Sequence, residues 1–230
     1  MQPNHSYNRA ALITHAVSMK KKIDSNKPEK RMSPENIRSA LSRIVWLAPL
    51  PTVIQEILEA SRDPNTSAKY LADIIRRDQS ITAKILKIVN SAYFGFPREI
   101  GNIDRAIVIL GFNDIRDITI AVCLKNTFDH PENDLFDRDK FWVHSLAVAY
   151  IARALSSRID KMLPSDAFVM GLLHDFGKAI LNEHFHDEFL KCLRISKNSG
   201  QPLHLVCYEK LGIDHAEVGG IIADSWKLPI

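Results

Sequence analysis

The chain contains no glycine-rich phosphate loop, no paired-cysteine motif, no apolar run of membrane length and no alternating segment of sheet length. Each absence closes off a class of function. Without a Gly-x-x-x-x-Gly-Lys or Gly-x-Gly-x-x-Gly turn, an α/β nucleotide-binding fold has no cradle for its phosphates. Cys123, Cys192 and Cys207 show no Cys-x-x-Cys spacing and leave an odd count, which argues for reduced thiols packed as small core residues and against a disulfide frame. No stretch approaches the roughly 18 uninterrupted apolar residues of a membrane span, and Met1-Gln2-Pro3-Asn4-His5 lacks the charged and apolar regions of a secretory signal. The expectation is a cytoplasmic protein without a membrane span. The net charge of +3 is small and its positive residues are dispersed, which disfavours nucleic acid as a partner.

What is there reads as helix. At 230 residues and 46% hydrophobic content, the chain can bury a substantial core as one domain or two closely packed subdomains. Residues 1–35 stand apart as an appendage or linker. A short amphipathic segment with Leu12, Ile13, Ala16 and Val17 gives way there to Lys20-Lys21-Lys22, and Ser33-Pro34-Glu35 is a helix start. The domain proper spans 36–230. Within it Thr52-x-x-Gln55 reads as a capping box, Ser67, Ser80, Asn102 and Asn113 as helix starts, and Gly111 as a helix end. Tyr93-Phe94-Gly95-Phe96-Pro97 is a turn whose aromatics are expected in the core or between subdomains. His130-Pro131-Glu132-Asn133-Asp134 is the clearest internal boundary, dividing about 46–130 from about 138–230. A long helix is predicted over residues 138 to 158.

The second half carries the candidate chemistry. His174 and Asp175 are adjacent at the end of an apolar helix, and His144 lies about one helix upstream. Neutral imidazole and ionised carboxylate together suit a divalent ion, and one helix cannot surround a metal, so ligands must converge from several. His144 shares a stripe with Ala147, Val148, Ile151 and Leu155, which predicts a ring pointing into the bundle. The competing reading is a buried histidine that donates an N–H to Asp175 with no metal. Asp214-x-x-Glu217 forms a capping box that puts His215 in the first turn of the last helix, where the dipole keeps the ring neutral. Gly177 permits a close approach of backbone or ligand. Lys178 either faces a phosphate or is solvated, and His184 and His186 are read as an exposed turn.

Taken in order, Trp142-x-His144-Ser145, Gly171-Leu172-Leu173-His174-Asp175-x-Gly177-Lys178, Leu211-Gly212-Ile213-Asp214-His215-Ala216-Glu217-Val218-Gly219 and Trp226-x-Leu228-Pro229 resemble the HD-related output domain (HDOD) family. The upstream half resembles it too, through Leu50-Pro51, Asp63-Pro64-Asn65-Thr66, Asn90-Ser91-Ala92-Tyr93-Phe94-Gly95 and Ile103-Asp104-Arg105-Ala106-Ile107-x-x-Leu110-Gly111. The resemblance implies an all-α fold, with an N-terminal helical subdomain packed on an HD-like helical subdomain. It implies a bacterial-type signal-transduction output module, non-catalytic, that binds a signalling partner protein or a regulatory nucleotide. The parent superfamily implies the alternative, a metal-dependent phosphohydrolase acting on a nucleotide or cyclic dinucleotide. There His144, His174, Asp175 and His215 would hold Fe, Mn, Zn or Ni, and Lys178 would serve the chemistry. In the family further helices follow the Leu228-Pro229 position. The face formed by Val218, Ile221, Ile222 and Trp226 is therefore expected to be bare in this 230-residue form and to favour self-association.

Overall fold

The computed structural model describes residues 37, 39–40, 50–63, 65–127, 135–159 and 164–228, and these belong to one compact unit. The proposed appendage 1–35 and the boundary segment 130–134, apart from its flanks, lie outside the described residues. All regular elements among the described residues are helices, and none is long and apolar enough to cross a membrane.

The first half is a nest of short helices. Helices α1 (Thr52–Arg62), α2 (Ala68–Arg76), α3 (Gln79–Val89), α4 (Ile103–Leu110) and α5 (Phe112–Thr127) each contribute an apolar stripe to one core. Ile54 and Ile57, Leu71 and Ile75, Ile85 and Val89, and Ile103 and Ala106 are buried on the first four. Ser67 accepts from the Tyr70 backbone N–H and Asn102 from that of Arg105, satisfying donors that a helix start leaves open. Three expected starts fall elsewhere. Pro51, with no side-chain cap bond, precedes α1, and Gln55 instead donates to the Leu50 carbonyl. Asp78, not Ser80, caps α3, because its carboxylate accepts from both Ser80 and Ile81. Asn113 lies inside α5, where its side chain accepts from Arg116.

The turn after α3 is closed by Asn90, whose amide donates to the Ile100 carbonyl at 3.0 Å and accepts from its N–H at 2.8 Å. Phe94 and Phe96 stack with ring centroids 6.0 Å apart. Tyr93, expected in a core, is 89% exposed. The asparagine clamp fixes the loop without needing its aromatics as ballast.

The second half begins with α6 (Arg138–Ile159), as predicted, and continues through α7 (Pro164–Leu173), α8 (Phe176–His184), α9 (His186–Ser199), α10 (Leu203–Leu211) and α11 (His215–Ser225). Two glycines set its closest helix pairs. A Cβ on Gly171 would stand 2.7 Å from Ala149 Cα, so α7 lies backbone against backbone on α6. A Cβ on Gly177 would stand 1.9 Å from the His215 carbonyl oxygen, so α8 does the same on α11. The halves are joined by charge at their seam. Asp117 on α5 is fully buried, pairs with Arg116 at 2.6 Å and also with Arg153 of α6, which reaches Asp114 at 2.8 Å.

Candidate metal centre

The His-Asp pair does not lie within a helix. Helix α7 ends at Leu173 and α8 starts at Phe176, so His174 and Asp175 form the break between them and can face different ways. His174 turns toward α6 and is stacked edge-on against His144, with centroids 5.1 Å apart. Asp175 turns inward and is buried. The two glycine contacts then bring the remaining groups to this break, Gly171 by holding α7 on α6 and Gly177 by drawing His215 to the far side of Asp175.

Three ligand atoms converge. His144 Nε2 stands 3.2 Å from His174 Nε2 and 3.7 Å from Asp175 Oδ2, and His174 Nε2 is 3.4 Å from the same oxygen. A circle through these atoms has a radius of about 2.0 Å, the length of a bond from a first-row divalent ion to imidazole nitrogen or carboxylate oxygen. The His174 Nδ1 is 2.8 Å from the Gly171 carbonyl. Only an N–H can satisfy that carbonyl, so the proton sits on Nδ1 and the Nε2 lone pair is directed at the cluster. The donor set fits one ion.

Two other residues meet Asp175 without joining that triangle. Lys178 donates to Oδ2 at 2.5 Å, so it is neither the solvated side chain nor the free phosphate contact that the sequence suggested. His215 Nε2 lies 3.4 Å from Oδ1, the opposite oxygen, while its Nδ1 is buried with no hydrogen-bond partner. A ring bearing its proton on Nε2 donates to the carboxylate and leaves a bare Nδ1, so His215 steadies Asp175 from behind. Burial acts to raise the Asp175 carboxyl pKa, but hydrogen bonds from His215 and Lys178, with the charge of Lys178, outweigh it and hold the group well below the usual carboxylate range.

His144 itself is misread by its stripe. Its side chain is 56% exposed, and Ile151 and Leu155 are also exposed. Helix α6 buries the neighbouring face of Phe141, Trp142, Ser145 and Ala149, because Gly171 brings α7 against Ala149. The ring therefore lies at the mouth of the cluster and not in the bundle interior. The expected bare face of α11 is corrected in the same way: Val218, Ile222 and Trp226 are buried, Trp226 against Phe176 at 5.4 Å, and only Ile221 is exposed. His184 ends α8 and His186 begins α9, both exposed, with buried Phe185 between them.

Sequence reasoning missed an apolar cavity of about 210 Å³ between α7 and α11, with His174 on its edge and Gly219 and Gly220 in its wall. Adjacent glycines inside a helical pattern were the available signal, since each weakens the helix by about 1 kcal/mol relative to alanine.

Among curated proteins, the chain is 25% identical over 192 residues to an uncharacterised protein of Treponema pallidum, covering 83% of this chain and 37% of that one. It is 25% identical over 148 residues to the uncharacterised protein YuxH of Bacillus subtilis, covering 64% of this chain and 35% of that one. It thus spans little more than a third of either relative. Among solved structures, an HDOD domain protein of unknown function from Geobacter sulfurreducens superposes with a TM-score of 0.71 at 26% identity, over 83% of this chain and 65% of that one. A Shewanella amazonensis protein provisionally described as a phosphohydrolase gives 0.65 at 30% identity, over 83% and 67%. The HDOD domain model matches residues 47–230, which takes in both halves and every residue of the cluster, and the chain belongs to the HDOD family.

Proposed function

We propose that this chain is a signal-transduction output module that works by binding and not by turnover. Its ligand, a signalling partner protein or a regulatory nucleotide, engages the face where His144, His174 and Asp175 converge, and those three residues hold a single divalent ion there. The state of Asp175 carries the reading. It is the one carboxylate in the described cluster, and it already has Lys178 on one oxygen and His215 on the other. A hydrolytic centre needs an ion with open positions and charged groups free to meet the phosphoryl oxygens. Here the nearest cation is committed to the ligand itself.

The alternative, a metal-dependent phosphohydrolase, is favoured by the fit of the triangle to one ion and by the likeness to the Shewanella protein. A bound ion would supply Lewis acidity toward a phosphoryl oxygen. The test is direct. Purified protein is supplied with Mn²⁺, Fe²⁺, Zn²⁺ or Ni²⁺ and assayed on phosphomonoester, phosphodiester and cyclic dinucleotide substrates beside Asp175→Ala. The expected result is one ion bound per chain, lost in Asp175→Ala, with no hydrolysis above that variant. Turnover that requires added metal and vanishes in Asp175→Ala overturns the proposal in favour of the hydrolase.

A further inference from the structure

The cavity beside His174 has a shape and a polarity that select a ligand. Its volume is about 210 Å³, and its walls are Val169, Met170 and Leu173 of α7, Phe176 of α8, and Ile222 and Trp226 around α11. An engineered apolar cavity of about 150 Å³ admits benzene, so this one has room for a single aromatic ring or a short branched chain. The room comes from the glycine pair in α11. A Cβ on Gly220 would meet nothing within 4 Å, and one on Gly219 only the Gly177 nitrogen at 3.7 Å. Packing between helices therefore does not require Gly220. What its missing side chain provides is space.

Two polar residues line the cavity, and they orient its contents. His174 faces the ligand triangle, and Asp166 lies eight residues earlier on α7, about 12 Å away at 1.5 Å per residue. An ion held by His144, His174 and Asp175 would draw an acidic group to the histidine end, and Asp166 repels one from the other. A nucleobase placed in the cavity would bury its polar edges against aliphatic and aromatic walls, leaving them unpaired at a free-energy cost.

We infer that the cavity and the His144–His174–Asp175 cluster form one binding site for a small amphiphilic acid: a ring or short branched hydrocarbon lodged between α7 and α11, with its anionic head on the cluster. The inference rests on the proposal that the cluster holds an ion and is a binding site, and departs from it in the small-molecule ligand, putting a small amphiphilic acid in place of the regulatory nucleotide. The hydrocarbon supplies affinity through area removed from water, and the head supplies position.

Phenylphosphonate, methylphosphonate and AMP are the probes, titrated calorimetrically into the full chain with and without Mn²⁺. Mn²⁺ binding is followed separately by electron paramagnetic resonance. Phenylphosphonate is expected to bind at least about tenfold more tightly than methylphosphonate, since the ring is the part that the cavity buries. Gly220→Leu, which fills the cavity from a position that tolerates a side chain, is expected to abolish this advantage while Mn²⁺ affinity and melting temperature hold. Equal binding of the two phosphonates overturns the inference, as does an advantage that survives in Gly220→Leu, or AMP binding as tightly as phenylphosphonate. Failure of Mn²⁺ to bind overturns the single-ion reading and with it the seat of the anionic head, because the His174 Nε2 lone pair offers an anion no donor. Mn²⁺ binding without any ring advantage leaves the ion and removes the cavity's role.

Discussion

Gly177→Ala should separate the two helices that hold Asp175. The added methyl would lie 1.9 Å from the His215 carbonyl oxygen, 2.8 Å from its carbon and 2.9 Å from the Gly219 nitrogen. All three are backbone atoms of α11, so no side chain can rotate aside. Restoring ordinary contact needs the helices to part by about 1.5 Å, an overpacking change that costs about 1 to 3 kcal/mol. Removing a helical glycine returns at most about 1 kcal/mol. The same motion pulls His215 off Asp175 Oδ1, now at 3.4 Å, and leaves the carboxylate without one of the donors that lower its pKa. The net loss of about 1 to 2 kcal/mol should appear in thermal unfolding followed by circular dichroism as a drop of about 2 to 8 °C for a chain of this size. Gly220→Ala is the matched control. Its methyl meets nothing within 4 Å, so it should leave stability unchanged or raise it by about 0.5 to 1 kcal/mol. Equal melting temperatures for Gly177→Ala and the parent would refute the claim that backbone contact at this glycine sets the α8–α11 distance.

Asp117→Ala removes the buried carboxylate shared by Arg116 and Arg153. Stranding two guanidinium groups at the seam should cost about 3 to 5 kcal/mol, at the low end because Arg153 keeps Asp114 and Arg116 keeps Asn113; denaturant unfolding measures it, and a loss under 1 kcal/mol would count against the seam. Because the Asp175 pKa is depressed in the folded state, the stability it contributes is complete above the ordinary aspartate value of about 3.9 and drains away as pH falls below it. Asp175→Asn should therefore lose less stability than the parent when both are taken from about pH 5 to about pH 3; parallel losses would show that the carboxylate is not linked to folding.

The helices were readable wherever a stripe and a cap agreed. Helix α6 begins where the polar proline segment ends, and α11 begins at Asp214 because its carboxylate and that of Glu217 exchange bonds with the backbone N–H groups. Caps failed where two candidates stood close together, as at Asp78 and Ser80, since the earlier carboxylate takes the Ser80 and Ile81 N–H groups and starts the helix before Ser80 can cap it. The residues of the cluster were legible as residue types. Their roles were not, because Lys178 and His215 are assigned by which oxygen of Asp175 each one faces, and that depends on a helix distance fixed by Gly177.

His144 shows the limit more sharply. Its spacing with Ala147, Val148, Ile151 and Leu155 is a genuine apolar stripe, and periodicity correctly made it a helix face. Periodicity carries no information on which of two apolar faces another helix covers. On α6 the choice fell to Ala149, the residue small enough for Gly171 to approach, so the face with Phe141, Trp142 and Ser145 went inward and the histidine face stayed accessible. That choice suits a binding site better than the predicted one would have. A ring sealed in the bundle could steady Asp175 but could not meet a ligand, whereas a ring more than half exposed beside His174 can hold an ion or an acidic group that arrives from solution.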